Sequence, residues 1–207
     1  MSNKKELTKL LSYMVSFDGG LYRRKNRHGN ISNAQFIMNM KKDNLDYVQW
    51  VGTVLEEYLS APVRITDRPD YNTDGCNRAP QVRLESRQHP ALNAIHSRIY
   101  MDGRKVIDPH MLKLMDAEAL AIIFMADGSV SEQGYVNLNT KGYSYADNVS
   151  LSKAIYAATG ICSNVNKHYQ YFYLRVPVKH SSLFFETVQP YVLPSFNYKL
   201  ERLTPRL

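Results

Sequence analysis

The distribution of apolar and polar residues predicts the same series of elements twice along the chain. Apolar residues recur at helical spacing within residues 5–17, where Leu7, Leu10, Leu11 and Met14 form one stripe. Beyond this helix the pattern predicts two strands within 21–40, joined by a turn at 28–30, and then a helix at 43–59 with Asp43 as its cap. Two further strands are predicted at 63–68 and 81–86, followed by a helix at 90–100. The first half is therefore expected to be an αββαββα unit.

The second half repeats this order. Helices are predicted at 116–127, 146–159 and 181–188. One pair of strands is predicted within 130–141, and a second pair at 161–168 and 170–177. Because no glycine- or proline-rich linker separates the halves, we expect a first half at 1–102, a short bridge at 103–115 and a second half at 116–207. The expected fold class is α+β, with antiparallel sheets that pack one face inward and leave the other face polar.

Composition adds the class of partner. The chain has 207 residues, 44% of them hydrophobic, which is enough for a core in one large domain or two small ones. Its formal net charge of +7 indicates an anionic partner such as nucleic acid. The excess is +4 in residues 1–102 and +3 in residues 103–207, so the charge is shared by both halves. We therefore expect an extended surface that follows a duplex rather than a basic tail.

Two segments share an apolar helical run that ends in Asp-Gly. Residues 11–19 read LSYMVSFDG and residues 120–128 read LAIIFMADG, 109 positions further on. The glycines are expected to end each helix with a positive φ. A carboxylate at a helix C-terminus lies against the negative end of the helix dipole, and two such ends side by side would repel each other. A divalent cation with oxygen ligands would remove that conflict.

These nine-residue segments resemble the motif of the LAGLIDADG homing endonucleases, in the single-chain branch with two motifs, typified by the omega-intron endonuclease. The resemblance covers most of the chain. Tyr13 and Ile122 stand where the family name has Gly, and Ser16 and Met125 stand where it has its first Asp. The resemblance implies two halves related by a pseudo-two-fold axis, packed on their motif helices, with both sheets forming a saddle on double-stranded DNA.

The resemblance also implies an activity. The expected function is site-specific double-strand cleavage of a long, asymmetric DNA target by a monomer that uses Mg²⁺, with Mn²⁺ able to substitute. Intron RNA is a second partner that the family allows. The alternative is a non-enzyme of the same fold, either an RNA maturase or a DNA-binding regulator.

The resemblance also implies which residues would carry the chemistry, including one lysine after each half. Asp18 and Asp127 are the expected metal ligands and catalytic acids, and Gly19 and Gly128 complete the metal-binding ends of the helices. One lysine after each half is expected near the metal, Lys199 within 197–200 and Lys105 within 104–109. Arg104 is an alternative to Lys105. A lysine there could orient water or neutralise the phosphate.

Polar strand residues are the candidates for contact with DNA, because Arg pairs well with guanine, and Asn and Gln pair well with adenine. These candidates are Arg24, Arg27, Gln35, Asn39, Arg64 and Arg83 in the first half, and Asn137, Asn139, Lys167, Tyr173 and Arg175 in the second. The alternative interpretation is a solvated sheet face, and tyrosines are common in strands for packing reasons alone.

Other chemistries lack their sequence signals. Cys76 and Cys162 form no C-x-x-C pattern, which indicates a reducing compartment, and the six histidines show no zinc-binding spacing. There is no phosphate-binding loop, no G-x-G-x-x-G and no G-x-S-x-G. No apolar run reaches the roughly 20 residues that a bilayer requires, and no targeting signal is visible. We expect an intracellular protein without a membrane partner, in the cytoplasm of a bacterium or phage-infected cell, or in an organelle matrix if it is organelle-encoded.

Overall fold

The computed structural model describes residues 4–25, 27–68 and 79–203. The turn predicted at 69–75 lies outside these ranges, as does Cys76. The chain divides into two units, Met1–Ser97 and Arg98–Leu207, and the predicted bridge at 103–115 is part of the second unit. Within the described ranges, no helix is long and apolar enough to cross a membrane.

The first unit contains a four-stranded antiparallel sheet with helices before and after its strand pairs. Its elements are α1 (Lys4–Phe17), β1 (Gly20–Tyr22), β2 (Gln35–Lys41), α2 (Leu45–Leu59), β3 (Arg64–Arg68), β4 (Gln81–Glu85) and α3 (Ala91–Ile99), which ends two residues into the second unit. The strand order is β1-β2-β4-β3. Alternation buries Phe36, Met38, Val82 and Leu84, and α2 packs over the sheet against β2, β3 and β4.

The second unit repeats this sheet. Its elements are β5 (Tyr100–Met101), β6 (Arg104–Lys105), α4 (Pro109–Leu112), α5 (Ala117–Asp127), β7 (Gly128–Val130), β8 (Val136–Leu138), α6 (Tyr145–Thr159), β9 (Asn164–His168), β10 (Tyr171–Val176), α7 (Ser181–Val188) and α8 (Asn197–Leu200). The larger sheet has the order β7-β8-β10-β9, again all antiparallel. Its buried residues include Val130, Val136, Leu138, Leu174 and Val176. The α+β class and the repeated order of elements are therefore as the sequence predicts.

The two helices that carry the Asp-Gly motif are the most completely buried helices of their units. All residues of α5 from Ala119 to Met125 are buried. In α1 the polar residues Ser12 and Ser16 are buried together with the predicted apolar stripe. Ser12 Oγ donates to the Thr8 carbonyl at 2.7 Å, which satisfies a hydroxyl that would otherwise be costly to bury.

Two local predictions were wrong. The first strand ends at Tyr22, so Arg24 and Arg27 lie in a connecting loop and not on a strand. Asp43 does not cap the second helix, because it lies inside a 3₁₀ turn, Lys42–Asn44, that leads directly into α2 without a side-chain cap. By contrast, α6 begins with a complete capping box between Ser144 and Asp147.

Candidate active site and nucleic-acid interface

Each motif acid lies where its helix meets the edge strand of its sheet. Asp18 follows α1 directly, and Gly19 separates it from β1. The Asp18 amide donates to the Met14 carbonyl at 3.0 Å. Asp127 is the last residue of α5, and Gly128 begins β7. In both units the strand that follows the acid pairs with only one neighbour, β2 or β8.

The motif glycines act differently from the prediction. Neither has a positive φ; Gly128 is extended, with φ −80° and ψ 144°. Glycine is required at both positions because neighbouring atoms leave no room for a side chain. A Cβ at Gly19 would overlap the Phe36 ring, and a Cβ at Gly128 would overlap the Phe124 ring and carbonyl. The amide of Gly19 donates to the Met14 carbonyl at 2.7 Å. The glycines thus let the chain turn tightly from helix to strand beside each acid.

Asp18 is held by a buried phenol. Tyr47 lies in the first turn of α2 and is fully buried, and its hydroxyl donates a hydrogen bond to Asp18 Oδ2. The Tyr47 ring also contacts Trp50, with ring centroids 5.7 Å apart. The sequence pattern does not single out Tyr47, because a tyrosine in the third position of an amphipathic helix resembles any other core residue.

Asp127 lies in a different electrostatic environment. Burial raises the pKa of the Asp127 carboxyl from 3.8 to about 6, and the positive charges of Lys199 and Lys105 oppose that rise. Both predicted lysines therefore act electrostatically on the same acid. Burial disfavours the ionised form of Asp127, and the two lysines offset only part of that cost. A bound cation would stabilise the ionised carboxylate further.

Lys199 caps the end of the second motif helix. Its ammonium is buried and donates to the carbonyls of Phe124 at 3.0 Å and Met125 at 2.7 Å. These carbonyls belong to the last turn of α5, where the helix dipole favours a cation. The ammonium also lies 5.2 Å from the centroid of the Phe196 ring. Lys199 thus stabilises the helix end that presents Asp127.

Lys105 is placed by a short hairpin that the sequence did not predict. Tyr100 pairs with Lys105 and Met101 with Arg104, and the turn between them contains Asp102 with φ 50° and Gly103 with φ 74°. Two successive residues of positive φ make the tight turn typical of two-residue hairpins. Lys105 is half-buried and its positive charge lowers the pKa of Asp127, whereas Arg104 is exposed.

The first sheet presents one face of polar side chains. The strand register puts Asn39 opposite Arg83, and Arg64 opposite Glu85. The face opposite the buried residues includes Tyr22, Gln35, Asn39, Arg64, Arg83 and Glu85. Arg83 Nε donates to Glu85 Oε1 at 2.5 Å, and Gln35 Nε2 donates to the Ser86 carbonyl at 2.8 Å. Four of the six predicted DNA-contacting residues of this half therefore share a face.

The second sheet presents a face of different composition. Arg175 lies opposite Asn137 on one side and Asn164 on the other. The same face carries Ser129, Asn137, Asn164, Asn166, Tyr171, Tyr173 and Arg175. Arg175 is fixed in place, since its Nε donates to Asn137 Oδ1 at 3.1 Å and one terminal nitrogen donates to the Tyr173 hydroxyl at 2.8 Å. Its guanidinium also stacks 4.0 Å from the Tyr135 ring centroid.

Four predicted contact residues lie elsewhere. Arg24 and Arg27 are exposed in the loop between β1 and β2, where Arg24 and Ser32 exchange hydrogen bonds of 2.8 Å. Lys167 pairs with Phe172 and so lies on the helix-covered side of the sheet, at its exposed edge. Asn139 follows β8, and both its backbone and side-chain amides donate to the Asp127 carbonyl at 2.9 Å. The side chain of Asn139 therefore supports the motif end in this structure.

The donor chemistry at the motif ends suits Mg²⁺ better than zinc. In the part of the chain that the structure describes, no group of three or more His, Cys, Asp or Glu side chains could hold a metal ion. Mg²⁺ commonly binds through one or two carboxylates and completes its shell with water and phosphate oxygens. Asp18 and Asp127 each offer one such carboxylate, and burial of Asp127 leaves its negative charge in need of a cation.

The fold and the two motif ends together define a class, the α+β proteins built from two LAGLIDADG repeats. The chain belongs to the LAGLIDADG DNA endonuclease family, whose model matches residues 18–184. It is 24% identical over 177 residues to the probable intron-encoded endonuclease 1 of Wickerhamomyces canadensis, covering 81% of this chain and 74% of that relative.

Two further relatives agree with this assignment. The probable intron-encoded DNA endonuclease 3 of Mycosarcoma maydis is 30% identical over 93 residues, covering 44% of this chain and 68% of that protein. Among solved structures, the homing endonuclease I-WcaI bound to its DNA recognition sequence superposes with a TM-score of 0.76 at 19% identity, covering 97% of this chain and 88% of that one. This structural likeness establishes the fold.

Proposed function

We propose that this protein is a site-specific homing endonuclease that makes a double-strand break in a long, asymmetric DNA target by metal-dependent hydrolysis. The observation that carries the proposal is made once in each unit. A motif acid lies between a buried helix and the edge strand of a sheet, directly before β7 in the second unit and one residue removed from β1 in the first. The uncovered face of each sheet bears Arg, Asn and Tyr side chains. Cleavage chemistry and sequence-reading groups are thus adjacent in each half.

The sheet faces supply the DNA contacts in this proposal. A pair of antiparallel strands fits the major groove, where Arg distinguishes guanine and Asn distinguishes adenine. The two sheets carry different residues at matched positions. Glu85 pairs with the first residue of β3 in the first sheet, and Arg175 pairs with the first residue of β9 in the second. Two half-sites read by such different residues would have different sequences, which is why we propose an asymmetric target.

The acids and lysines supply the chemistry. Asp18 and Asp127 would each provide a carboxylate ligand to Mg²⁺, or to Mn²⁺ in its place, and the bound metal would activate water and neutralise the leaving 3′-oxygen. Lys199 and Lys105 add positive charge near Asp127, where they favour the ionised carboxylate and attract the scissile phosphate. Since one chain carries both motif acids, we propose that it acts as a monomer.

The descriptions of the similar proteins support this proposal. Two are described as probable intron-encoded endonucleases, and the similar solved structure is a homing endonuclease bound to its recognition sequence. Intron RNA remains a second proposed partner.

Selection from a random duplex library, followed by cleavage in Mg²⁺, tests the proposal. We expect one long, non-palindromic sequence to be enriched, and a supercoiled plasmid that carries it to become linear in Mg²⁺ but not in EDTA. A selected site that is bound but never cut would contradict the endonuclease proposal and favour a DNA-binding regulator. Selection of intron RNA in preference to duplex DNA would favour a maturase.

Arg175 provides a prediction about base reading. Because its neighbours already fix the guanidinium, little side-chain entropy remains to be lost on binding. We expect R175A to weaken binding of the selected target about 10- to 100-fold, the cost of one lost bidentate base contact, and to relax preference at one base pair. The dissociation constant is measured for the target and for each single-base variant, at several salt concentrations.

The matched control is K153A, which removes an exposed charge from α6 on the helix side of the same unit. It should leave target affinity and sequence preference unchanged. If R175A weakens all sequences equally and lowers the salt slope by about one charge, Arg175 contacts phosphate and not a base. A lower melting temperature with unchanged preference would make it structural.

A further inference from the structure

The two motif acids are supported by different groups, and Tyr47 is the residue that makes the difference. Tyr47 is fully buried in α2, where packing against Trp50 fixes the direction of its ring. From there its hydroxyl donates to Asp18 Oδ2. A phenol is rarely buried without such a partner, and this one is a proposed metal ligand.

The residue of the second unit that matches Tyr47 is Asp147, which caps its own helix. Helices α2 and α6 both contain 15 residues and both end at a residue of left-handed conformation, Ser60 and Gly160. Their third residues are Tyr47 and Asp147. The Asp147 carboxylate accepts hydrogen bonds from Ser144 N at 3.1 Å and Ser144 Oγ at 2.7 Å, so it caps its own helix.

A hydrogen bond of this kind restricts the orientation of a carboxylate. The donated proton takes a lone pair on Oδ2 and limits rotation about the Cβ–Cγ bond, so the other lone pairs point in fixed directions. For metal-binding carboxylates and imidazoles, loss of such an outer hydrogen bond typically costs 10- to 100-fold in metal affinity or activity, about the size of effect expected here.

We propose that Tyr47 is a positioning residue that orients Asp18 for metal binding. The inference rests on the proposed function of Asp18. It adds that a phenol orients the acid of the first unit, whereas the matching residue of the second unit, Asp147, caps its own helix. Removing the Tyr47 hydroxyl should therefore affect the DNA strand whose cleavage depends on Asp18 more than the other strand.

The test is Y47F on a target duplex whose two strands carry different fluorophores. The strand most slowed by D18N is identified first. We expect Y47F to slow that same strand about 10- to 100-fold and the other strand far less, so that nicked product accumulates. The Mg²⁺ concentration for half-maximal cutting should rise, while target affinity and melting temperature stay near those of the parent.

The control is Y58F, which removes a hydroxyl from the same helix, where Tyr58 donates to the Ala91 carbonyl at 3.4 Å. It should cut both strands like the parent. A second measurement does not depend on cleavage: Mn²⁺ binding to the free protein, followed by the electron paramagnetic resonance of the unbound ion. Y47F is expected to bind Mn²⁺ about 10-fold more weakly than Y58F.

The outcomes separate the two proposals. If the parent protein does not cut but Y47F still weakens Mn²⁺ binding, the endonuclease proposal fails and the role of Tyr47 stands. If the parent cuts and Y47F matches it in strand ratio and Mn²⁺ binding, the role of Tyr47 is overturned. Equal slowing of both strands by Y47F, or a bias toward the opposite strand from D18N, would also overturn it.

Discussion

A D127N protein is expected to bind its target duplex with the affinity of the parent while losing cleavage of at least one strand. Asn keeps the shape of the side chain but removes the negative charge that would hold Mg²⁺, and the stabilisation that a metal ion gives to phosphoryl transfer is worth several kcal/mol, about a thousandfold in rate or more. Cleavage of a supercoiled target plasmid measures it. D18N should behave in the same way, and full double-strand cutting by either variant would contradict the assignment of the acids.

The same substitution should raise stability in EDTA. Because burial raises the folded pKa of Asp127 to about 6, its charged form destabilises the fold, and the stability that depends on its protonation is lost as pH rises from 3.8 to about 6. At about 1.4 kcal/mol per pH unit, the cost at neutral pH is up to about 3 kcal/mol. We expect D127N to be more stable than the parent above pH 6 by about 1–3 kcal/mol, and similar to it near pH 4.

D116N is the matched control, because Asp116 lies at the opposite end of α5 and its carboxylate accepts from the Ala119 amide at 2.9 Å. Asn is an equally good cap there, so stability should change by less than about 0.5 kcal/mol. Chemical denaturation in EDTA from pH 4 to pH 8 gives the comparison. A large loss of stability in D127N would indicate that its carboxylate is itself a structural cap.

Replacement of Lys199 by Met should have the largest effect on both activity and fold. Met fills much of the space of the buried lysine stem, but it leaves the Phe124 and Met125 carbonyls without the ammonium that bonds to them. Two buried acceptors that lose a charged donor cost about 2–5 kcal/mol of stability. The pKa of Asp127 should also rise further, because a charge that lowers it is gone.

For activity, we expect K199M to reduce cleavage at least about 100-fold at a temperature where it remains folded, since the proposed function places this positive charge near the scissile phosphate. Thermal melting and single-turnover cleavage are measured together. The control is K179M, which removes an exposed lysine from the segment before α7 and should change neither. Wild-type cleavage by a destabilised K199M would restrict Lys199 to a structural role.

The elements that the sequence predicted well are those governed by local periodicity. The alternation of Phe36 and Met38 with Gln35 and Asn39 depends only on strand geometry, and it assigned the inner and outer faces of β2 correctly. The Asp-Gly motif was equally readable, because an acid at a helix end conflicts with the helix dipole. Repetition of both signals then predicted the repeated fold.

What the sequence did not predict depends on contacts between distant positions. Tyr47 contacts Asp18 only because α2 packs beside the end of α1 in the first unit, and the spacing of these two residues in the sequence does not predict the contact. The need for Gly19 comes from the ring of Phe36, so the correct residue was identified for the wrong reason, a positive φ. The hairpin that carries Lys105 is too short to show any periodicity.

The alternation of buried and polar side chains along the central strands also affects how such a protein can change over generations. Phe36, Met38 and Leu84 fix strand register from one side, so Asn39 and Arg83 on the other side can be exchanged without disturbing the core. If the sheets read DNA as proposed, one outward substitution could follow a target that changes by one base pair. Mutational libraries confined to outward positions of a single sheet should accordingly yield stable variants that prefer a changed half-site and leave the other half-site as it was.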